Sequence, residues 1–169
     1  MPDLDQDFER LFTAYGAACH AAQLLERSFR VLLVAQQAAK APAFANEAVG
    51  YIETETARDT LRDLFSAAQR KEYFTEAEIA KINAAVRKRN FLIHEFFAHA
   101  GTDTLTPSGR KAALVELQSI RDQLNRAREI LEALAERYLL EFGLTVETLV
   151  AAAQTLATSS SEDDDLILH

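Results

Sequence analysis

The chain has 169 residues, 49% hydrophobic and 26% charged, which is typical of one domain with a packed core and excludes general disorder. Its formal net charge of −8, from 18 Lys and Arg against 26 Asp and Glu, argues against general binding to nucleic-acid phosphates. The single cysteine, Cys19, excludes an internal disulfide and a cysteine-ligated metal cluster.

The start of the sequence predicts a compartment. Residues 1–5 are acidic and lack the basic and apolar regions of a secretory signal. No apolar run reaches the roughly 18 residues that indicate a transmembrane helix. We therefore expect a soluble, cytoplasmic protein with no membrane partner.

The first part of the chain predicts two helices. Apolar residues recur at helical spacing from Asp5 to about Lys40, where Pro42 ends the helix because proline lacks a backbone donor. Residues 41–56 are ambiguous, and a second helix is predicted from residue 57 to about residue 71. The apolar positions of the first helix are Phe8, Leu11, Phe12, Tyr15, Ala18, Ala22, Leu25, Phe29, Leu32 and Leu33.

The third predicted helix is apolar nearly all round. Thr75 and Glu78 form a capping box at its start, and Gly101 ends it after about Ala100. At about 100° per residue, residues 91–97 cover most of its circumference with apolar side chains. Such a helix is buried on more than one side, and we expect the second side to contact a partner subunit. The predicted core stripe is Ile79, Val86, Ile93 and Phe97.

Two further helices are predicted after this point. A fourth opens at Thr106-Pro107-Ser108 and runs to about Phe142, with Gly143 as its stop. A short fifth helix covers residues 144–156. The apolar positions of the fourth helix approximate a heptad seam: Leu114, Leu117, Ile120, Leu124, Leu131, Leu134 and Tyr138.

These elements predict an all-α fold. Low contents of glycine and proline, 5 and 3 residues, agree with a helical chain. We expect an up-and-down bundle of four main helices plus a short C-terminal helix over residues 1–157, and an acidic flexible tail over residues 158–169. The tail carboxylates, Glu162 to Asp165, are expected to be solvated; the alternative is that they fold over the basic middle of the chain and mimic RNA.

Positive charge is concentrated in the middle of the chain. Residues 61–111 carry 9 basic and 6 acidic side chains, a net +3. Residues 1–60 carry 5 and 9, a net −4, and residues 112–169 carry 4 and 11, a net −7. This is compatible with a local anion site on an acidic body, and equally with chance variation.

The histidines match no common metal motif. His94 and His99 are five residues apart, about 140° around a helix, whereas the zinc-protease motif has histidines four apart, at about 40°. No Glu-x-x-His occurs, so a ferritin-like di-iron site is unsupported. We expect no metal and no cofactor.

Arg89, Asn90 and His94 are the candidate catalytic residues. Histidine suits proton transfer near neutral pH, and the planar donor fork of arginine matches phosphate, so the set is sufficient in principle to cleave a phosphodiester without a metal. Asn90 lies about 40° from His94 around the helix, and Arg89 about 140°. Arg87, at about 20°, is an alternative partner. The structural alternative is a solvated basic turn followed by a buried aromatic patch.

The segment Arg89-Asn90-Phe91-Leu92-Ile93-His94 resembles the signature of the HEPN superfamily: an arginine, a polar residue directly after it, and a histidine after four to six intervening residues, on a late helix of an all-α bundle. The resemblance implies a homodimer in which the two motifs meet across the twofold axis. It also implies metal-independent endoribonuclease activity, as in HEPN toxins and prokaryotic defence proteins. Arg89 and His94 would be catalytic, with Asn90 supporting them.

One position departs from this pattern. In HEPN toxins paired with MNT nucleotidyltransferases, a tyrosine that is adenylylated commonly follows one residue after the histidine, whereas this chain has Phe96, which lacks a hydroxyl. The implied partners are RNA and a second copy of the chain, together with a cognate antitoxin or another protein. The acidic surface favours the alternative function, a non-catalytic HEPN-like dimer that acts as a protein-interaction module.

Overall fold

Almost every described residue is helical. The computed structural model describes residues 4–40, 66, 74–141, 143 and 145. No β-strand occurs within these ranges, and the all-α prediction is confirmed for them. Among the helices described, none combines the length and apolarity required to cross a membrane.

Four α-helices and one 3₁₀ turn are described. Apart from Ser66 and Thr145, the predicted second and fifth helices lie outside the described residues, as do the boundary at residue 157 and the acidic tail. The elements are α1 (Leu4–Lys40), α2 (Glu76–His94), α3 (Phe96–Ala100), the 3₁₀ turn (Asp103–Leu105) and α4 (Pro107–Glu141).

The chain divides into two compact units. Unit 1 comprises Met1–Ser28 and Lys71–Ile130, and unit 2 comprises Phe29–Arg70 and Leu131–His169. The candidate catalytic residues all belong to unit 1. Among the described residues of unit 2, the buried apolar side chains are Phe29, Leu32, Leu33, Ala35, Leu131, Leu134, Ala135, Tyr138 and Leu139.

Within unit 1, side-chain contacts join α1, α2 and α4 in pairs. Tyr15 contacts Leu92, whereas Glu26, further along α1, contacts Arg89, which lies earlier on α2. The two helices are therefore antiparallel. One ion pair links each pair of helices: Glu26–Arg89, Lys88–Glu116 and Asp7–Arg110.

The start of α2 is as predicted. The Thr75 hydroxyl accepts from the Glu78 N–H at 3.3 Å, and the Glu78 carboxylate accepts from the Thr75 N–H at 2.8 Å. This reciprocal capping box satisfies two amides that the first turn leaves unpaired, and such a cap contributes about 1 kcal/mol.

The end of the third helix differs from the prediction. The helix is interrupted at Glu95 (φ −126°, ψ −20°) and resumes as α3. The Tyr15 hydroxyl donates to the Leu92 carbonyl at 3.3 Å, the acceptor that a continuous helix reserves for the N–H of Phe96. A side chain inserted into the hydrogen-bond ladder is a known cause of helix bending.

The predicted core stripe of this helix was wrong. Ile79 and Val86 are half-buried, while Ile93 and Phe97 are 40% and 37% exposed. The buried residues lie about 90° around the helix from the predicted stripe, so α1 covers an apolar face that the sequence did not single out. The buried residues are Ile82, Ala85, Leu92 and, on α3, Phe96.

Buried Arg110 holds the start of α4 in place. Its Nη1 donates to the carbonyls of Thr104 and Leu105 at 3.1 and 3.2 Å, and its Nη2 lies 3.4 Å from Asp7. The guanidinium also lies 5.1 Å from the Phe8 ring centroid. These contacts tie the first turns of α1 and α4 to the 3₁₀ turn.

Gly109 permits this arrangement. A Cβ at this position would lie 1.8 Å from the Asp103 carbonyl oxygen, whereas a Cβ at Gly16 would meet nothing within 4 Å. We expect Gly109→Ala to lower the free energy of unfolding by about 1–3 kcal/mol, because the turn must shift. Gly16→Ala, in the exposed middle of α1, should raise it by about 0.5–1 kcal/mol. Urea unfolding measures both, and equal effects of the two substitutions would contradict this account.

Candidate functional site

Neighbouring residues of α2 project to different surroundings. Lys88 extends to α4, where its Nζ lies 3.5 Å from Glu116, and Arg89 extends to α1, where it binds Glu26. Asn90 and His94 are exposed on another side of the helix. This division follows from the rotation of about 100° between successive helical residues.

Arg89 is held by an ion pair with α1. Its Nε and Nη2 donate to one carboxylate oxygen of Glu26, at 2.8 and 2.5 Å, and each side chain is 24% exposed. The third nitrogen, Nη1, donates to Oδ1 of Asn90 at 3.2 Å. The described contacts therefore engage all three guanidinium nitrogens.

Asn90 and His94 lie one turn apart on α2. Residues four apart on a helix are neighbours, so the amide and the imidazole share a surface. Within the part of the chain that the structure describes, the His94 side chain makes no hydrogen bond or ion pair. Arg89 and Asn90 are thus brought into contact, while His94 neighbours Asn90 on the side away from Glu26. Arg87 is also exposed.

Apolar side chains border His94. Phe12, Ile93 and Phe97, which we term the outer apolar patch, are 58%, 40% and 37% exposed. Phe12 and Phe97 touch, with ring centroids 5.9 Å apart, so α1 and α3 form one continuous apolar surface. Ile93 lies three residues after Asn90 on α2, a spacing at which helical side chains are neighbours, and the patch therefore reaches the candidate site.

Tyr15 packs against the outer apolar patch. Its ring lies 4.7 Å from that of Phe97 and 5.8 Å from that of buried Phe96. Burial, together with the neighbouring Cys19 thiol, raises the pKa of Tyr15. The hydroxyl therefore stays protonated at neutral pH and remains a donor to Leu92.

Neither the contact of Glu26 with the site nor the exposure of Phe12 in the outer apolar patch was predicted from the sequence. Phe12 was assigned to the core because its spacing matches the apolar stripe of α1. Glu26 stands beside core residue Leu25 and carried no local signal, because its partner Arg89 is 63 residues away. In the described ranges, no group of three or more His, Cys, Asp or Glu side chains is arranged to hold a metal ion.

The Glu26–Arg89 ion pair should stabilise unit 1 measurably. In a double-mutant cycle with Glu26→Gln and Arg89→Gln, we expect a coupling energy of about 1 kcal/mol, because two donors meet one partly buried carboxylate. The Lys88–Glu116 pair, 38% and 36% exposed at 3.5 Å, is the matched control, with about 0.3 kcal/mol expected. Urea unfolding of the wild-type protein and the six variants gives both values, and a coupling for Glu26–Arg89 no larger than the control would contradict the prediction.

No family model, no curated protein and no solved structure matches this chain. The resemblance to the HEPN superfamily therefore depends on the segment from Arg89 to His94 and on the helical architecture. Any function proposed for this surface depends on the chemistry of the exposed side chains of Asn90 and His94.

Proposed function

We propose that this protein is a metal-independent endoribonuclease of the HEPN type, related to toxin or defence systems, whose active site forms across a homodimer. One observation carries the proposal: Asn90 and His94 are exposed together on α2, and the outer apolar patch borders them. A catalytic histidine must be accessible, and an exposed apolar border is typical of surfaces that associate. The fold we propose is the predicted up-and-down bundle.

The proposed reaction is transesterification within RNA. His94 takes the proton of a ribose 2′-hydroxyl, the 2′-oxygen attacks the adjacent phosphorus, and the bond to the 5′-oxygen breaks. A proton returns to the leaving 5′-oxygen from the partner subunit's His94. The products are a 2′,3′-cyclic phosphate and a 5′-hydroxyl.

Arg89 and Asn90 have supporting roles in this proposal. The guanidinium stabilises negative charge that builds on the phosphoryl oxygens. Because Oδ1 of Asn90 accepts from Arg89, the amide nitrogen of Asn90 remains a donor for a phosphate oxygen or for His94. The ion pair with Glu26 holds Arg89 in one orientation.

A second candidate function is a non-catalytic HEPN-like dimer that binds another protein. The contact that favours this second function is the Glu26–Arg89 ion pair. Glu26 occupies Nε and Nη2 of Arg89 and offsets the positive charge that would attract a phosphate. In this alternative, Arg89 is structural and the exposed surface of α2 is a protein interface. A cognate antitoxin is one such partner.

Cleavage assays with histidine variants test the nuclease. Purified protein should cleave mixed single-stranded RNA in the presence of a chelator, and His94→Ala should lower the rate by about 10²–10⁴-fold. His20→Ala, an exposed histidine on α1, is the matched control and should leave the rate unchanged. End-group analysis should detect the cyclic phosphate. Cleavage that survives His94→Ala, or that needs a divalent ion, would exclude the mechanism, and intact RNA would favour the second candidate.

Sedimentation equilibrium tests the homodimer. We expect Phe12→Gln with Ile93→Gln to weaken self-association at least tenfold, because the two substitutions place polar groups in the outer apolar patch. Leu105→Gln, at an apolar residue 69% exposed outside the patch, should leave association unchanged. A monomeric parent protein, or equal weakening by the control, would contradict the proposed interface.

A further inference from the structure

A groove of about 600 Å³ lies between α2 and α4 in unit 1. Lys88 lines it from α2, and Ser108, Lys111, Val115, Glu116 and Ser119 line it from α4. The groove is open to solvent and mixes cations, hydroxyl groups and an exposed valine, which suits a ligand with both charged and apolar parts.

The groove carries a local excess of positive charge. Lys88 is paired with Glu116 at 3.5 Å, whereas Lys111 has no ion-pair partner among the described residues. The two ammonium groups against one carboxylate leave a net +1 on a chain of net −8. The hydroxyls of Ser108 and Ser119 add donors that suit phosphate oxygens.

Lys88 connects this groove to the candidate active site. Lys88, Phe91 and His94 follow one another at intervals of three residues, so each neighbours the next on the surface of α2. The Lys88 ammonium lies 5.2 Å from the centroid of the Phe91 ring. Exposed His99 of α3 contacts the same ring, with a centroid distance of 5.9 Å and an interplanar angle of 69°. A cationic groove therefore leads past an aromatic pair to His94.

We infer that this surface binds single-stranded RNA, with Lys88 and Lys111 on its phosphates and the Phe91–His99 pair against a base. This inference rests on the proposed function, which identifies the polymer as RNA. It adds the route along which the RNA strand reaches His94. Lysines on the backbone combined with aromatic rings against bases are the usual means of binding single strands. The bases of a duplex are stacked and paired, so they cannot reach the rings.

Binding is measured with the full chain carrying His94→Ala, so that cleavage does not consume the probe. The probe is a fluorescent single-stranded RNA of mixed sequence and about twelve nucleotides, within the usual site size. Lys88→Gln with Lys111→Gln should weaken binding at least fivefold at low salt and reduce the salt-dependence slope by about 1.4, or 0.7 for each lost phosphate contact. His99→Ala should weaken it by about fivefold to 100-fold.

Matched variants separate this path from general electrostatics. Arg10→Gln with Arg126→Gln removes the same charge from exposed positions outside the groove and should change affinity by less than twofold. His20→Ala is the control for His99→Ala. A duplex of the same sequence should bind more weakly than the single strand.

The outcomes distinguish the inference from the proposed nuclease. If the wild-type protein cleaves RNA but the groove variants bind as the controls do, the path is wrong and the nuclease stands. If the wild-type protein does not cleave RNA but binding depends on Lys88, Lys111 and His99, the path is supported and the nuclease is wrong. Absence of binding at low salt, or equal affinity for the duplex, would overturn the inference.

Discussion

The ion pair between Glu26 and Arg89 is the constraint on which the geometry of the site depends. It connects the antiparallel helices α1 and α2 and, together with buried Leu92, marks the face of α2 that meets α1. With Arg89 turned toward α1, the helical repeat turns Lys88 toward α4 and leaves Asn90 and His94 in solvent. A different rotation would bury the histidine and expose the arginine.

The same ion pair would have opposing consequences for the proposed catalysis. A fixed guanidinium loses less conformational entropy when it binds a phosphate, which favours preorganised stabilisation of the transition state. A neighbouring carboxylate, however, repels an approaching phosphate and offsets the positive charge of Arg89. Lys88, which extends from α2 toward α4, and Lys111 of α4 lie away from Glu26, so in the proposed nuclease they would supply the attraction that Arg89 alone lacks.

Sequence alone predicted those features that neighbouring residues determine. The capping box at Thr75 and the start of α4 at Pro107 were predicted because their partners lie within three residues. The break at Glu95 could not be predicted, because it involves the Tyr15 hydroxyl, 77 residues from its acceptor Leu92. These outcomes separate local from long-range determinants of the structure.

Which face of α2 is buried also depends on residues distant in the sequence. Two apolar faces compete on this helix, and the sequence does not say which one α1 covers. The candidate residues Arg89, Asn90 and His94 could be selected by chemistry and spacing. That Arg89 faces α1 while His94 faces solvent could not be predicted without knowing that Glu26 lies against α2.

The exposed apolar face links association to chemistry in the proposed homodimer. Closed twofold interfaces are self-complementary, so residues at their centre lie near their own copies. Ile93 is the member of the outer apolar patch that neighbours Asn90 on α2 and precedes His94 in sequence, and an interface centred on it would bring each His94 close to the axis. Burial of the patch would then assemble the two histidines of one site, because the residues that drive association lie beside those that move protons. A monomer would hold only half of this arrangement, so dissociation should abolish cleavage even though each His94 remains exposed.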